Sequence, residues 1–215
     1  MPEPKQLLVE GVNDYHVISN LCKQHQILIP ENFFLEAPKP KSDGINAILK
    51  KLPTTLKQEN LRVLGIVVDA DQDLAARWQS VRDKLTAFGY KDIPKTLPLE
   101  GWVDPQPNLP RIGVWVMPNN QLTGMLEDFV AYLIPEDDKL KQKAESILLE
   151  IEQDQLNRYT EIHRSKALIH TWLAWQKTPG MPMGQAITTK ALCYDAAIAQ
   201  TFIDWLKSLF ELPTT

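Results

Sequence analysis

The run Val63-Leu64-Gly65-Ile66-Val67-Val68 is apolar at almost every position. A strand with one wet face alternates apolar and polar residues. A strand apolar throughout is covered on both faces, as in a parallel sheet flanked by helices. Ile112-Gly113-Val114-Trp115-Val116-Met117 repeats the pattern, and Gln6-Leu7-Leu8-Val9 and Phe33-Phe34-Leu35 are shorter versions of it. Segments with helical spacing separate them. Asp14 to Gln24 places Val17, Ile18, Leu21 and Cys22 on one face, Ile45 to Leu52 follows Ser42-Asp43-Gly44, and Leu74 to Phe88 ends at Gly89. Strand and helix in alternation predict an α/β domain with a parallel sheet and right-handed crossovers.

Between Gly89 and Arg111 the alternation stops. Pro94, Pro98, Pro105, Pro107 and Pro110 crowd this stretch, which reads as an extended excursion with a short strand at Thr96-Leu97-Pro98-Leu99. After Pro135 the pattern is helical to the end. Glu136-Asp137-Asp138 makes an acidic first turn, favoured at a helix N-terminus. Leu140, Ala144, Ile147, Leu148 and Ile151 then follow helical spacing. Arg164 to Gln176 carries Leu168, Trp172 and Trp175 on one face, and these tryptophans read as core. A final stripe runs from Ala197 to Leu209 through Phe202 and Trp205, and should pack on the sheet or on a second copy of the chain. The chain thus divides into an α/β domain over residues 1–134 and a helical extension over 135–215 packed on it.

Bulk properties narrow the function classes. No apolar run approaches the roughly 20 residues that cross a bilayer. Met1 to Gln6 lacks the charged and apolar regions of a signal peptide. Cys22 and Cys193 form neither a disulfide framework nor a zinc knuckle, and suit a reducing cytoplasm. The net charge of −4 argues against a general basic coat for nucleic acid. Lys23 to Arg62 has a local excess of basic residues, best read as a solvated face.

Two motifs carry chemistry. Leu8-Val9-Glu10-Gly11-Val12-Asn13-Asp14 puts a glutamate where a strand stops and a helix starts. Val67-Val68-Asp69-Ala70-Asp71-Gln72-Asp73 puts three alternating acids just past another strand. Ligands of open parallel sheets bind beyond the carboxyl ends of the strands, so both groups point to one edge. If their strands are neighbours, Glu10, Asp69 and Asp71 converge. In an extended segment Asp69 and Asp71 also face the same way. Clustered carboxylates repel, and a divalent cation removes that penalty. Mg²⁺ takes hard oxygen ligands, and phosphoryl transfer uses it to neutralise phosphate and orient water. The plainer roles are a turn at Glu10-Gly11, a helix cap at Asp14 or Asn13, and a cap at Asp73 for the helix starting at Leu74. The later glycine and glutamate of an EF-hand loop are missing.

These motifs resemble those of the Toprim domain, which pairs a glutamate-glycine after its first strand with an Asp-x-Asp after a later one. Val9-Glu10-Gly11-x-x-Asp14 and Asp69-x-Asp71, extended by Asp73, are the counterparts. The resemblance covers about residues 5 to 130 and is similar to the Toprim nuclease domain of overcoming-lysogenization-defect nucleases. The whole chain resembles a Toprim-related family of mainly bacterial proteins. In those proteins a Leu-Glu-Asp follows the fourth strand and a Lys-Ala pair lies in a helical tail, here Leu126-Glu127-Asp128 and Lys166-Ala167. The resemblance implies a Toprim-like, Rossmann-like fold. It implies Glu10, Asp69 and Asp71 as catalytic residues, Asp73 as a further metal ligand, and Mg²⁺ or Mn²⁺ as cofactor. Asp14, a carboxylate from Glu127 and a phosphate contact from Lys166 would complete the site. There is no Gly-x-x-x-x-Gly-Lys-Ser/Thr, so the ATPase half of those nucleases is absent from this sequence.

The expected function is therefore a metal-dependent nuclease acting on nucleic acid, DNA or RNA. A homodimer or a partner ATPase acting in trans remains open. The alternative is a non-catalytic Toprim scaffold that binds nucleic acid or a protein. A nucleotidyl transferase is a third reading. Fold resemblance alone does not fix activity.

Overall fold

The computed structural model describes residues 5–37 and 44–213. The helix start expected at Ser42-Asp43 lies outside them. Among the described residues five strands form one sheet: β1 (Lys5–Val9), β2 (Phe34–Glu36), β3 (Val63–Asp69), β4 (Trp102–Asp104) and β5 (Arg111–Met117), in the order β2-β1-β3-β5-β4. All neighbours are parallel except β4, which runs antiparallel to β5. The architecture is a mixed α/β fold with a mostly parallel sheet flanked by helices, as the apolar strands predict.

The period-2 alternation of strand side chains sorts the core into two layers. Leu8, Leu64, Ile66, Val68, Ile112, Val114 and Val116 face one way, onto α2 (Gly44–Leu56) and α3 (Leu74–Phe88). Leu7, Val9, Val67, Trp115 and Met117 face the other way, onto α1 (Val12–Gln24), α4 (Leu126–Ala131), α6 (Arg164–Ala174), α7 (Met183–Thr188) and α8 (Ala197–Phe210). The stripe on α8 therefore packs on the sheet of its own chain. Gly65 and Gly113 pair across β3 and β5 beneath it. A Cβ on Gly113 would stand 2.7 Å from Leu209, and one on Gly65 would stand 2.9 Å from it, so the absent side chains let α8 approach the sheet. Phe33 stacks on Phe210 at a centroid distance of 4.2 Å.

Several elements depart from the sequence reading. The excursion strand is not at 96–99 but at Trp102–Asp104. Pro98 offers no N–H to a ladder, whereas Trp102 is buried edge-on against Trp78 and anchors its segment. Helix α2 continues through Pro53 to Leu56. Burial of Thr55 and Leu56 outweighs the hydrogen bond that Pro53 cannot make. Trp172 is fully buried, but Trp175 is 38% exposed at the end of α6. Helix α5 (Lys139–Gln153) buries only Ala144 and Leu148, leaving Leu140 exposed, because it packs on α6 and not on the sheet. The six-residue helices α4 and α7 are too short to show periodicity. Among the described residues, no helix is long and apolar enough to cross a membrane.

Candidate metal and phosphate site

The topology places the site. From β1 the chain goes outward to β2 and returns to β3 on the other side of β1. Helices α1 and α2 thus leave on opposite faces, and a crevice opens beyond the carboxyl ends of β1 and β3. Glu10 follows the last residue of β1 directly, and Asp69 is the last residue of β3.

Glu10, Asp14, Asp69, Glu127 and Lys166 line one cavity of about 330 Å³ in this crevice. Glu10 Oε2 accepts the backbone N–H of Asp69 at 2.9 Å, and Oε1 accepts that of Ile45 at 3.1 Å. Gly44 makes the second bond possible. Its φ is +37°, and a Cβ there would come within 2.8 Å of Glu10 Oε1. Asp69 Oδ1 accepts the N–H of Leu126 at 3.0 Å, which ties the end of β3 to the start of α4. That start also delivers Glu127, which is 4% exposed and 3.8 Å from Lys166 Nζ at the beginning of α6. Asp14, in the first turn of α1, is 6% exposed, and its Oδ1 finds no hydrogen-bond partner among the described residues.

Crowded acids in a dry place hold protons. Burial first, then the charges of Glu10 and Glu127, push Asp14 up to about 7. Asp69 is raised well above the usual carboxylate range, by burial first and then by Asp14, Glu10, Glu127 and Asp71. Burial also raises Glu10, opposed by the Asp69 N–H and by the Arg77 charge.

Asp71 differs from expectation. Facing the same way as Asp69 requires an extended segment, but Asp71 adopts φ 53°. Its N–H and C=O each bond to Gly124 at 2.8 Å, making an isolated bridge between the two loops. Its carboxylate pairs with Arg77 and lines a second hollow of about 500 Å³, with Asp128, Glu161, Arg164 and Ser165. Asp71 remains close enough for its charge to be felt by Glu10 and Asp69. Asp73 lines neither hollow. It caps α3, with Oδ1 accepting the Ala76 N–H at 2.9 Å. Arg164 pairs with Glu152 at 2.8 Å. Arg77 is the participant that sequence reasoning missed. Nothing in its spacing separates it from a solvated helix residue.

Among the described residues, no three Asp, Glu, His or Cys side chains stand close enough to form a ready-made cation cage. The acids are spaced around the cavity, and two of them are turned to backbone donors. The donor set is nonetheless of the type that a hard cation takes. It is all oxygen, it includes the unpartnered Asp14 Oδ1, and each oxygen of Glu10 keeps a lone pair beyond the one N–H it accepts.

Among solved structures, the chain is similar to the C-terminal region of the Xanthomonas campestris pv. campestris OLD protein. The two share 11% identity with a TM-score of 0.47, over 97% of this chain and 96% of that one. No curated protein matches the chain. The model of the family described as "Protein of unknown function (DUF3226)" matches residues 4–211, and the chain belongs to that family.

Proposed function

We propose that the chain is a Mg²⁺- or Mn²⁺-dependent phosphodiester hydrolase acting on nucleic acid through a Toprim-type acidic site. The observation that carries this reading is the convergence of Glu10, Asp14, Asp69 and Glu127 on one cavity beside Lys166. The Glu10-Gly11-x-x-Asp14 and Asp69-x-Asp71 motifs support it.

Glu10, Asp14, Asp69 and Glu127 would hold the cation. Bound there, it would supply Lewis acidity to the phosphoryl group and lower the pKa of water. The remaining work belongs to the chain. The N–H groups of Ile45 and Asp69 fix the direction of the Glu10 carboxylate. The N–H of Leu126 does the same for Asp69. Asp14, raised to about 7, would have to give up its proton to act as a ligand, so loading would depend on pH. Lys166 lines the same cavity and would bind a non-bridging phosphate oxygen as a point charge.

The test is incubation of the protein with plasmid, single-stranded DNA and RNA in Mg²⁺ or Mn²⁺. Cleavage that Glu10→Gln abolishes supports the hydrolase. The second reading, a scaffold that binds nucleic acid or a protein without cleaving it, is favoured by the engagement of Glu10 and Asp69 with backbone donors. Binding without cleavage in any metal supports that reading instead.

A further inference from the structure

Arg77 occupies an unfavourable place for a cation. It is the fourth residue of α3, in the first helical turn, where the helix dipole favours negative charge. Its side chain is only 15% exposed, and its Nε has no hydrogen-bond partner among the described residues. A buried donor left unpaired is costly. What compensates is the acidic field around it. Arg77 Nη2 bonds to Asp71 Oδ2, and its charge also acts on Glu10.

We propose that Arg77 is a built-in cation that replaces a second metal ion. It holds Asp71 out of the cavity, so the site takes one divalent ion and not two. This rests on the hydrolase reading and specifies its metal stoichiometry.

Two observations converge on it. Asp71 is fixed from both sides, by its two backbone bonds to Gly124 and by the Arg77 pair, and its carboxylate does not line the Glu10 cavity. The cavity itself carries four carboxylates and one ammonium, Lys166. A single divalent ion leaves at most one excess negative charge there, less when Asp14 keeps its proton. A second ion that took Asp71 as a ligand would meet the guanidinium already bound to it. Two cations sharing one carboxylate in a partly buried site repel strongly. Arg77 is therefore a positioning residue. It acts through Asp71 and supplies a positive charge that, unlike a bound ion, cannot dissociate from the chain.

The test is calorimetric titration of Mn²⁺ into the full chain, with Mn²⁺ electron paramagnetic resonance to detect coupled ion pairs. Wild type should bind one ion. Arg77→Lys keeps the charge and should also bind one. Arg77→Gln frees Asp71 and should gain a second, weaker ion with a coupled spectrum. Asp71→Asn provides an independent check that does not require an Arg77 variant to fold. It should keep one ion with Kd changed by less than about threefold, whereas loss of a true ligand should cost roughly tenfold or more. Two ions in wild type, one ion in folded Arg77→Gln, or a large loss in Asp71→Asn each overturn the proposal while leaving the hydrolase reading intact. No ion bound by wild type overturns both.

Discussion

The backbone N–H of Asp69 donates to Oε2 of Glu10 at 2.9 Å, across the ends of two adjacent parallel strands. One acid of the site is thus oriented by the main chain of another. Glu10 also accepts the N–H of Ile45, so it fastens the start of α2 to the same strand edge. Glu10→Ala leaves both donors without their acceptor. The expected cost is about 1–3 kcal/mol, which for a chain of this size lowers Tm by roughly 2–4 °C per kcal/mol. Thermal unfolding in chelator checks it, and an unchanged Tm would show that the two bonds are not maintained in solution.

Two aspartates of the same acidic region should respond to neutralisation with opposite signs. Asp71 faces a partly buried guanidinium, so Asp71→Asn strands that charge and should destabilise by about 1–3 kcal/mol. Asp14 faces other carboxylates, so Asp14→Asn relieves repulsion and should stabilise the metal-free protein at neutral pH. Denaturant titration of both variants decides. Matching signs would mean that the local charges are not arranged as described.

The pH dependence follows from the same group. Asp14 sits at about 7 in the folded chain against a usual value of 3.8. Across that window the folded state binds more protons than the unfolded state, so the Asp14 contribution falls as pH rises. It is fully lost above the folded value. The stability difference between Asp14→Asn and wild type should therefore grow from pH 4 to pH 7 and level off above it, reaching about 2–4 kcal/mol at most. Saturating Mg²⁺ should shrink or reverse the difference, because only wild type keeps the full donor set. Chemical denaturation at a series of pH values, with and without Mg²⁺, measures both effects. A difference independent of pH would mean that Asp14 titrates normally.

Much of this arrangement was legible in the sequence. Continuous apolar runs marked β3 and β5, and the position of Glu10 and Asp69 at strand ends set them on one edge. Once β1 and β3 pair, their convergence follows. The path of the chain after Asp69 was not legible. Asp-x-Asp reads as extended, but whether Asp71 takes a positive φ depends on the bridge to Gly124, more than fifty residues away in sequence. Arg77 was hidden for the same reason. Its role comes from the residue it meets and not from any spacing. The edge strand at Trp102–Asp104 leaves no local signal because it is three residues long and held by Trp102 packing on Trp78, a tertiary contact.

Gly44 gives a test of site geometry that removes no carboxylate. An alanine Cβ at this position would stand 2.8 Å from Glu10 Oε1, at a φ of +37° that side chains rarely adopt. Gly44→Ala should push Glu10 off its donors and weaken Mn²⁺ binding by about 10–100-fold, the usual effect of disturbing groups that orient a ligand. Calorimetry measures the affinity, and circular dichroism checks that the fold survives. Wild-type affinity in Gly44→Ala would show that the orientation of Glu10 does not matter to the metal.

Lys166 separates phosphate contact from metal contact. Its Nζ lies 3.8 Å from Glu127 Oε1 and its side chain is 44% exposed, so it reaches both the acids and an incoming backbone. A lysine that touches one phosphate releases about one condensed counterion, and its removal should lower the salt slope of nucleic-acid binding by roughly one. The same removal takes a positive charge away from Glu127, so metal affinity should hold steady or rise. Lys166→Ala is therefore expected to bind nucleic acid more weakly at low salt, with a shallower salt dependence and undiminished Mn²⁺ affinity. Fluorescence anisotropy over a salt series, run with catalytically silent Glu10→Gln as the background, measures the slope without cleavage. If the slope is unchanged while Mn²⁺ binding falls, Lys166 acts by holding Glu127 in position and not by contacting phosphate.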